Sequence, residues 1–184
     1  MTKRLLDLGA VQQHNRRGST PLHIACRDNA FEYVEVFLEN NAEWLQDSLG
    51  CTPLSVACKD GNIEIVEYLI DQGYDLDSDD SSMDAMLQVC CTGNIEIGQM
   101  LLESSQSPEE RQVEDCWMFQ ACQHGFIKMV ELLIAYGGIP GAGMFNSLSA
   151  ARESGNWELI TLLLEHGAYD GPFHEGTPRL FLSS

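Results

Sequence analysis

The chain has 184 residues, with 28 acidic against 10 basic side chains and a formal net charge of −18 at pH 7. A field of that sign disfavours nucleic acid and anionic membrane as partners; no run of about eighteen apolar residues could span a bilayer, and the first ten residues lack the apolar core of a secretory signal. These features predict a cytoplasmic or nuclear protein, whose seven cysteines are free thiols rather than a disulfide framework.

In chain order, residues 3–10, KRLLDLGA, have the pattern of the end of an amphipathic helix, and residues 11–19 form a polar finger with Arg16 and Arg17 at its tip. Thr20-Pro21-Leu22 then opens a short helix over 20–28. The threonine serves as N-cap, and the proline sits at the first helical position, where its missing N–H is no loss. Phe31, Val34, Phe37 and Leu38 recur at helical spacing with Glu32, Glu35 and Glu39 between them, which predicts a second, amphipathic helix. After another finger, 41–50, the plan repeats in residues 50–73, GCTPLSVACKDGNIEIVEYLIDQG. Thr52 and Pro53 start an inner helix and Asp60-Gly61-Asn62 stops it, because glycine takes the left-handed cap conformation. Ile63, Ile65, Val66, Leu69 and Ile70 build the outer helix.

The repeat continues through the chain. Cys26, Cys58, Cys90 and Cys122 fall 32 residues apart, each followed three positions later by Asn29, Gly61, Gly93 and Gly125, and a fifth copy has Gly155 in that role, 30 residues after Gly125. A period of this length marks supersecondary units that bury their apolar faces by stacking. The motifs G-x-TPL-x-x-A and G-N-I-E-I-V-x-x-L-I-x-x-G resemble the ankyrin repeat over nearly the whole chain. The resemblance implies an all-α ankyrin-repeat solenoid with β-hairpin or loop fingers. Its predicted layout is a single array: a partial repeat at 1–17, five repeats at 18–49, 50–81, 82–113, 114–143 and 144–174, and a truncated sixth at 175–184. Fragments at both ends predict a segment of something longer.

The later copies depart from the pattern in places. The third finger, DQGYDLDSDDSSMD over 71–84, reads as a solvated acidic loop. As a calcium loop it would need glycine where Asp80 stands and glutamate where Met86 stands. Ser81 and Ser82 are open to phosphorylation, although Ser81-x-x-Asp84 also reads as a helix start. Gly98 interrupts the third outer helix at a cost of about 1 kcal/mol relative to alanine. Ser107-Pro108-Glu109-Glu110 reads as a helix cap in place of a finger, or as a proline-directed phosphosite. In the fourth copy Trp117 either fills the space of the lost hairpin or faces the groove, and Phe126 is expected to make an exposed contact. Residues 139–145 form a tight irregular finger. Trp44 and Trp157 stand at positions that are apolar core in the resembled family and are predicted to be buried.

Chemistry is scarce. There is no phosphate-cradling glycine loop, no zinc-ligand spacing, and no serine or cysteine beside a histidine able to activate it. The repeated cysteines occupy a small apolar slot, and the resemblance gives His23 a structural hydrogen-bonding role. No enzyme activity, cofactor or metal is expected. What the resemblance implies instead is protein binding through a concave face of finger tips and inner-helix ends: Arg16, Arg17, Arg27, Asp28, Gln46, Asp47, Lys59, Asp60, Asp79, Asp80, Gln123, His124, Phe126, Glu153 and Ser154. Residues 1–27 carry five basic and one acidic side chain, whereas residues 28–115 carry two basic and twenty-one acidic ones, which favours a partner with a basic surface, or else serves solubility alone. Two narrower expectations accompany this scaffold or adaptor reading. The later half resembles the ankyrin region of Roco-family leucine-rich-repeat kinases, which implies a regulatory domain acting on its own neighbouring domains. The repeat count suggests an ankyrin-type cyclin-dependent-kinase inhibitor.

Overall fold

The computed structural model describes residues 14–73, 81–104, 115–140 and 146–168. They form ten α-helices, and no strand occurs among the described residues. The chain divides into two compact units, Met1–Glu109 and Glu110–Ser184.

The first unit holds three helix pairs: α1 (Pro21–Arg27) with α2 (Phe31–Glu39), α3 (Pro53–Asp60) with α4 (Ile63–Asp71), and α5 (Ser81–Thr92) with α6 (Ile95–Ser104). Inner helices α1, α3 and α5 stack side by side, and α2, α4 and α6 form a second layer on them. This order follows from side-chain size and pattern. In α3 every residue from Pro53 to Cys58 is buried, so small and medium side chains let neighbouring helices approach on both flanks. In α4 only Ile65, Val66 and Leu69 are buried, while Glu64, Glu67 and Asp71 face water. The second unit repeats the plan with α7 (Asp115–Gln123) and α8 (Ile127–Ala135), then α9 (Ser147–Glu153) and α10 (Trp157–Glu165), α7 lying against α9.

Local chemistry sets the helix ends. Thr52 Oγ1 accepts from the Ser55 N–H at 3.1 Å while Ser55 Oγ accepts from the Thr52 N–H at 2.9 Å, a reciprocal cap. Gly61 ends α3 at φ 76°, and Asn29 takes the equivalent left-handed place after α1 at φ 53°. Asparagine is one of the few residues other than glycine that visits this region readily. The four repeated cysteines are each fully buried, and burial pushes the Cys26 and Cys122 thiols up to about 12. Cys26 and Cys122 therefore have no thiolate to offer near neutral pH.

Ser81 heads α5, as its helix-start reading expects, and Gly98 is buried within α6. Two tryptophans correct the sequence reading. Trp44 is 39% exposed, because Ala42 takes the buried place after α2 and the chain from Glu43 to Gln46 is exposed throughout. Trp157, expected in the core, is 76% exposed. In the first unit the matching residue Phe31 is covered by Tyr68 of the next outer helix; no element beyond α10 is among the described residues. Trp117 is half-buried, and its Nε1 is buried without a hydrogen-bond partner among the described residues. The helix end expected at 3–10, Asp79 and Asp80 of the third finger, the Ser107 cap, most of the finger at 139–145 and the sixth unit at 175–184 lie outside the described residues.

Candidate functional site

Among the described residues of the first unit, two tight turns, one repeat apart, form fingers. In the first, Gly18 N–H donates to the Asn15 carbonyl at 2.9 Å, and Asn15 Oδ1 accepts from the N–H groups of Arg17 and Ser19 at 2.8 and 3.1 Å. The second is built the same way around Asp47, whose Oδ1 accepts from the Leu49 and Cys51 N–H groups at 2.9 and 3.0 Å. Asn and Asp suit this place because a short side-chain acceptor can close a turn on its own backbone. The turns are joined: Ser48 donates to the Arg17 carbonyl through both its N–H, at 2.9 Å, and its hydroxyl, at 2.7 Å. Gly18 makes this approach possible, since a Cβ there would lie 2.9 Å from the Ser48 nitrogen.

This scaffold holds up Arg16 and Arg17 on the first turn and Leu49, 78% exposed, on the second. Leu45 and Trp44 are also exposed on the approach to the second turn. Gln46 is exposed, whereas Asp47 is half-buried with its carboxylate committed to its own turn. The inner-helix ends continue the arrangement. Arg27 ends α1 and Asp28 follows it, Lys59 and Asp60 close α3, and all four are exposed. Asn62 Nδ2 donates to the Cys26 carbonyl at 2.6 Å, which ties the end of α1 to the start of α4. One repeat further the same row continues with Cys91. Its thiol is raised mainly by burial, and nearby Lys59 pulls it the other way.

In the second unit Gln123, the last residue of α7, and His124 after it are exposed, and Glu153 is exposed at the end of α9. Phe126, expected to be an exposed contact, is half-buried and stacks on the His124 ring, centroids 5.6 Å apart. Ser154 is half-buried and its hydroxyl donates to the Ala151 carbonyl at 2.8 Å. The sequence pointed to charged residues at these turns and not to Leu49, Leu45 or the outward face of Trp44, which are exposed beside them. The available signal was position: Leu49 stands 32 residues after Arg17, at the corresponding place on its turn.

No group of three His, Cys, Asp or Glu side chains among the described residues could hold a metal ion, and no described helix is long and apolar enough to cross a membrane. Stacked helix pairs of constant period, with variable exposed side chains on pinned turns, define a helical-repeat protein, a class that works through extended binding surfaces. The family description "Ankyrin repeats (3 copies)" matches residues 32–112, and "Ankyrin repeat" matches residues 17–46. The chain belongs to the ankyrin-repeat family, and its repeats are protein–protein interaction modules. Comparison with curated proteins finds no match.

Proposed function

We propose that the chain is a non-catalytic scaffold or adaptor that binds a protein partner through the two joined fingers of the first unit. The observation that carries this reading is the pinned pair of turns presenting Arg16, Arg17 and Leu49 to solvent. Arginines beside an exposed leucine on a rigid support suit a partner segment with carboxylates next to an apolar side chain. Arg27, Asp28, Lys59 and Asp60 extend the face with alternating charge, and by the repeat spacing Asp79 and Asp80 belong to the next finger. Gln123, His124, Phe126, Glu153 and Ser154 form the matching surface of the second unit. Net charge alone favours a basic partner, but it averages over faces that differ. At the tip of the first finger, where Arg16 and Arg17 stand with no acid on the same turn, the local charge is positive.

The test is affinity capture from cytosol followed by mass spectrometry, with wild type beside Arg16→Glu/Arg17→Glu/Leu49→Ser, both checked for helix content. A discrete protein retained by the wild type and depleted at least about tenfold by the variant is the expected result, because buried anchors and paired charges carry most interface energy. An identical captured set on both would place the binding face elsewhere.

A further inference from the structure

The outer helices of the first unit form a second surface of different character. Together α2, α4 and α6 carry eight carboxylates and no lysine or arginine. At one place this face is hollow. The first residue of an outer helix meets the sixth residue of the next, and in the first such pair Phe31 packs edge-on against Tyr68, ring centroids 5.1 Å apart at 62°. One repeat on, the same positions hold Ile63 and Met100. Without two rings to fill the space they line a groove of about 330 Å³. Glu67 borders it on α4, and Glu96 and Glu103 on α6, with Gln99 Nε2 donating to Glu103 Oε1 at 2.8 Å. The negative field is also felt one repeat earlier by the Tyr68 hydroxyl, whose pKa is raised by burial first and then by the carboxylates of Glu35 and Glu39.

The chemistry of the groove selects its occupant. A compact metal ion does not suit it, since no three of the described acidic side chains converge on one point. Ile63 and Met100 set among separated carboxylates fit a long cationic side chain, whose methylenes lie on the two apolar side chains while the charged head reaches a carboxylate. Glu96 and Glu103 are two turns apart on α6, a rise of roughly 10 Å, so two basic side chains one turn apart fit between them. We propose that the groove formed by Ile63 and Met100 docks a basic helical segment of a partner protein, with its Lys or Arg side chains held among Glu67, Glu96 and Glu103. This surface lies apart from the fingers and does not depend on their role.

The probe is a fluorescein-labelled, alanine-based helical peptide with lysines at i and i+4 and a leucine between them. An arginine version and a glutamate version accompany it, and binding is read by anisotropy. The lysine and arginine peptides are expected to bind and the glutamate peptide not to. Glu67→Gln/Glu96→Gln/Glu103→Gln should weaken binding about tenfold or more, the combined effect of three partly exposed ion pairs. A control that removes as many charges off the groove, Glu32→Gln/Glu39→Gln/Asp71→Asn, should weaken it less than about threefold, because distant charges are screened. Methyl NMR shifts at Ile63 and Met100 should accompany binding, and Arg16→Glu/Arg17→Glu should leave it intact. The proposal is overturned if neither basic peptide binds, if both sets of charge removals weaken binding equally, or if the finger variant abolishes it.

Discussion

His23 is engaged at both ring nitrogens. Nδ1 accepts from the Thr20 N–H at 3.1 Å and from the Thr20 hydroxyl at 2.9 Å, and Nε2–H donates to the Cys51 carbonyl at 3.0 Å. The ring is fully buried, so one residue of α1 holds the base of the following finger. A second proton would have to sit on Nδ1, against two donors. The pKa is accordingly lowered, by burial first, with Arg27 acting the same way and the Cys51 carbonyl and Asp47 opposing it. A lowered folded value means that above about pH 6.5 the ring is neutral in both states and its contribution is complete. As pH falls below that value the unfolded chain binds the proton more readily, and stability is lost until the folded value is passed. Urea denaturation between pH 7.5 and 5 should show this slope in the wild type and a flatter one in His23→Gln. That variant should also lose about 1–3 kcal/mol at pH 7.5 from unsatisfied buried groups. Parallel pH profiles would remove the histidine from this account.

Between helices, the side chain that begins an outer helix also fastens one repeat to the previous one. Asn62 Nδ2 reaches the Cys26 carbonyl at 2.6 Å, satisfying an acceptor that the end of α1 would otherwise leave open. In the second unit Asn156 spans to the Gly125 carbonyl at 3.5 Å, the long limit for such a bond. The fourth copy has Phe126 at this position, which cannot donate and stacks on His124 instead. Asn62→Ala should therefore cost about 1–2 kcal/mol by urea denaturation. Glu64→Ala, two residues further on and exposed, should cost less than about 0.5 kcal/mol. Equal losses would mean that the cross-repeat bond contributes nothing beyond helix propensity. The sequence made the helix pairs legible, because caps, prolines and left-handed glycines are local chemistry that each copy restates. The tryptophans were harder to read. Burial at position 157 is decided by what covers it from outside its own repeat, and at 44 by competition with Ala42 for one small space.

At the scale of the molecule, the described basic side chains of the first unit keep to one face, and this was the part least visible in the sequence. A sum over 28–115 shows twenty-one acids against two bases without revealing that three outer helices hold no base at all, while Arg16, Arg17, Arg27 and Lys59 sit on finger tips and inner-helix ends. Neighbouring helices pack about 8–10 Å apart, so carboxylates on successive outer helices repel one another across a distance that salt can screen. Raising sodium chloride from about 10 mM to about 150 mM shortens the Debye length from roughly 30 to 8 Å. The midpoint of thermal unfolding should rise by about 2–4 °C, the shift that about 1 kcal/mol produces in a chain of this size. Chloride is the appropriate anion, because sulfate strengthens apolar burial by itself. Glu67→Gln/Glu96→Gln/Glu103→Gln should begin higher at low salt and gain less on salt addition, since part of the repulsion is already gone. A fall in the midpoint on salt addition would show that ion pairs outweigh repulsion in the folded protein. An equal gain in the variant would place the dominant repulsion away from the groove.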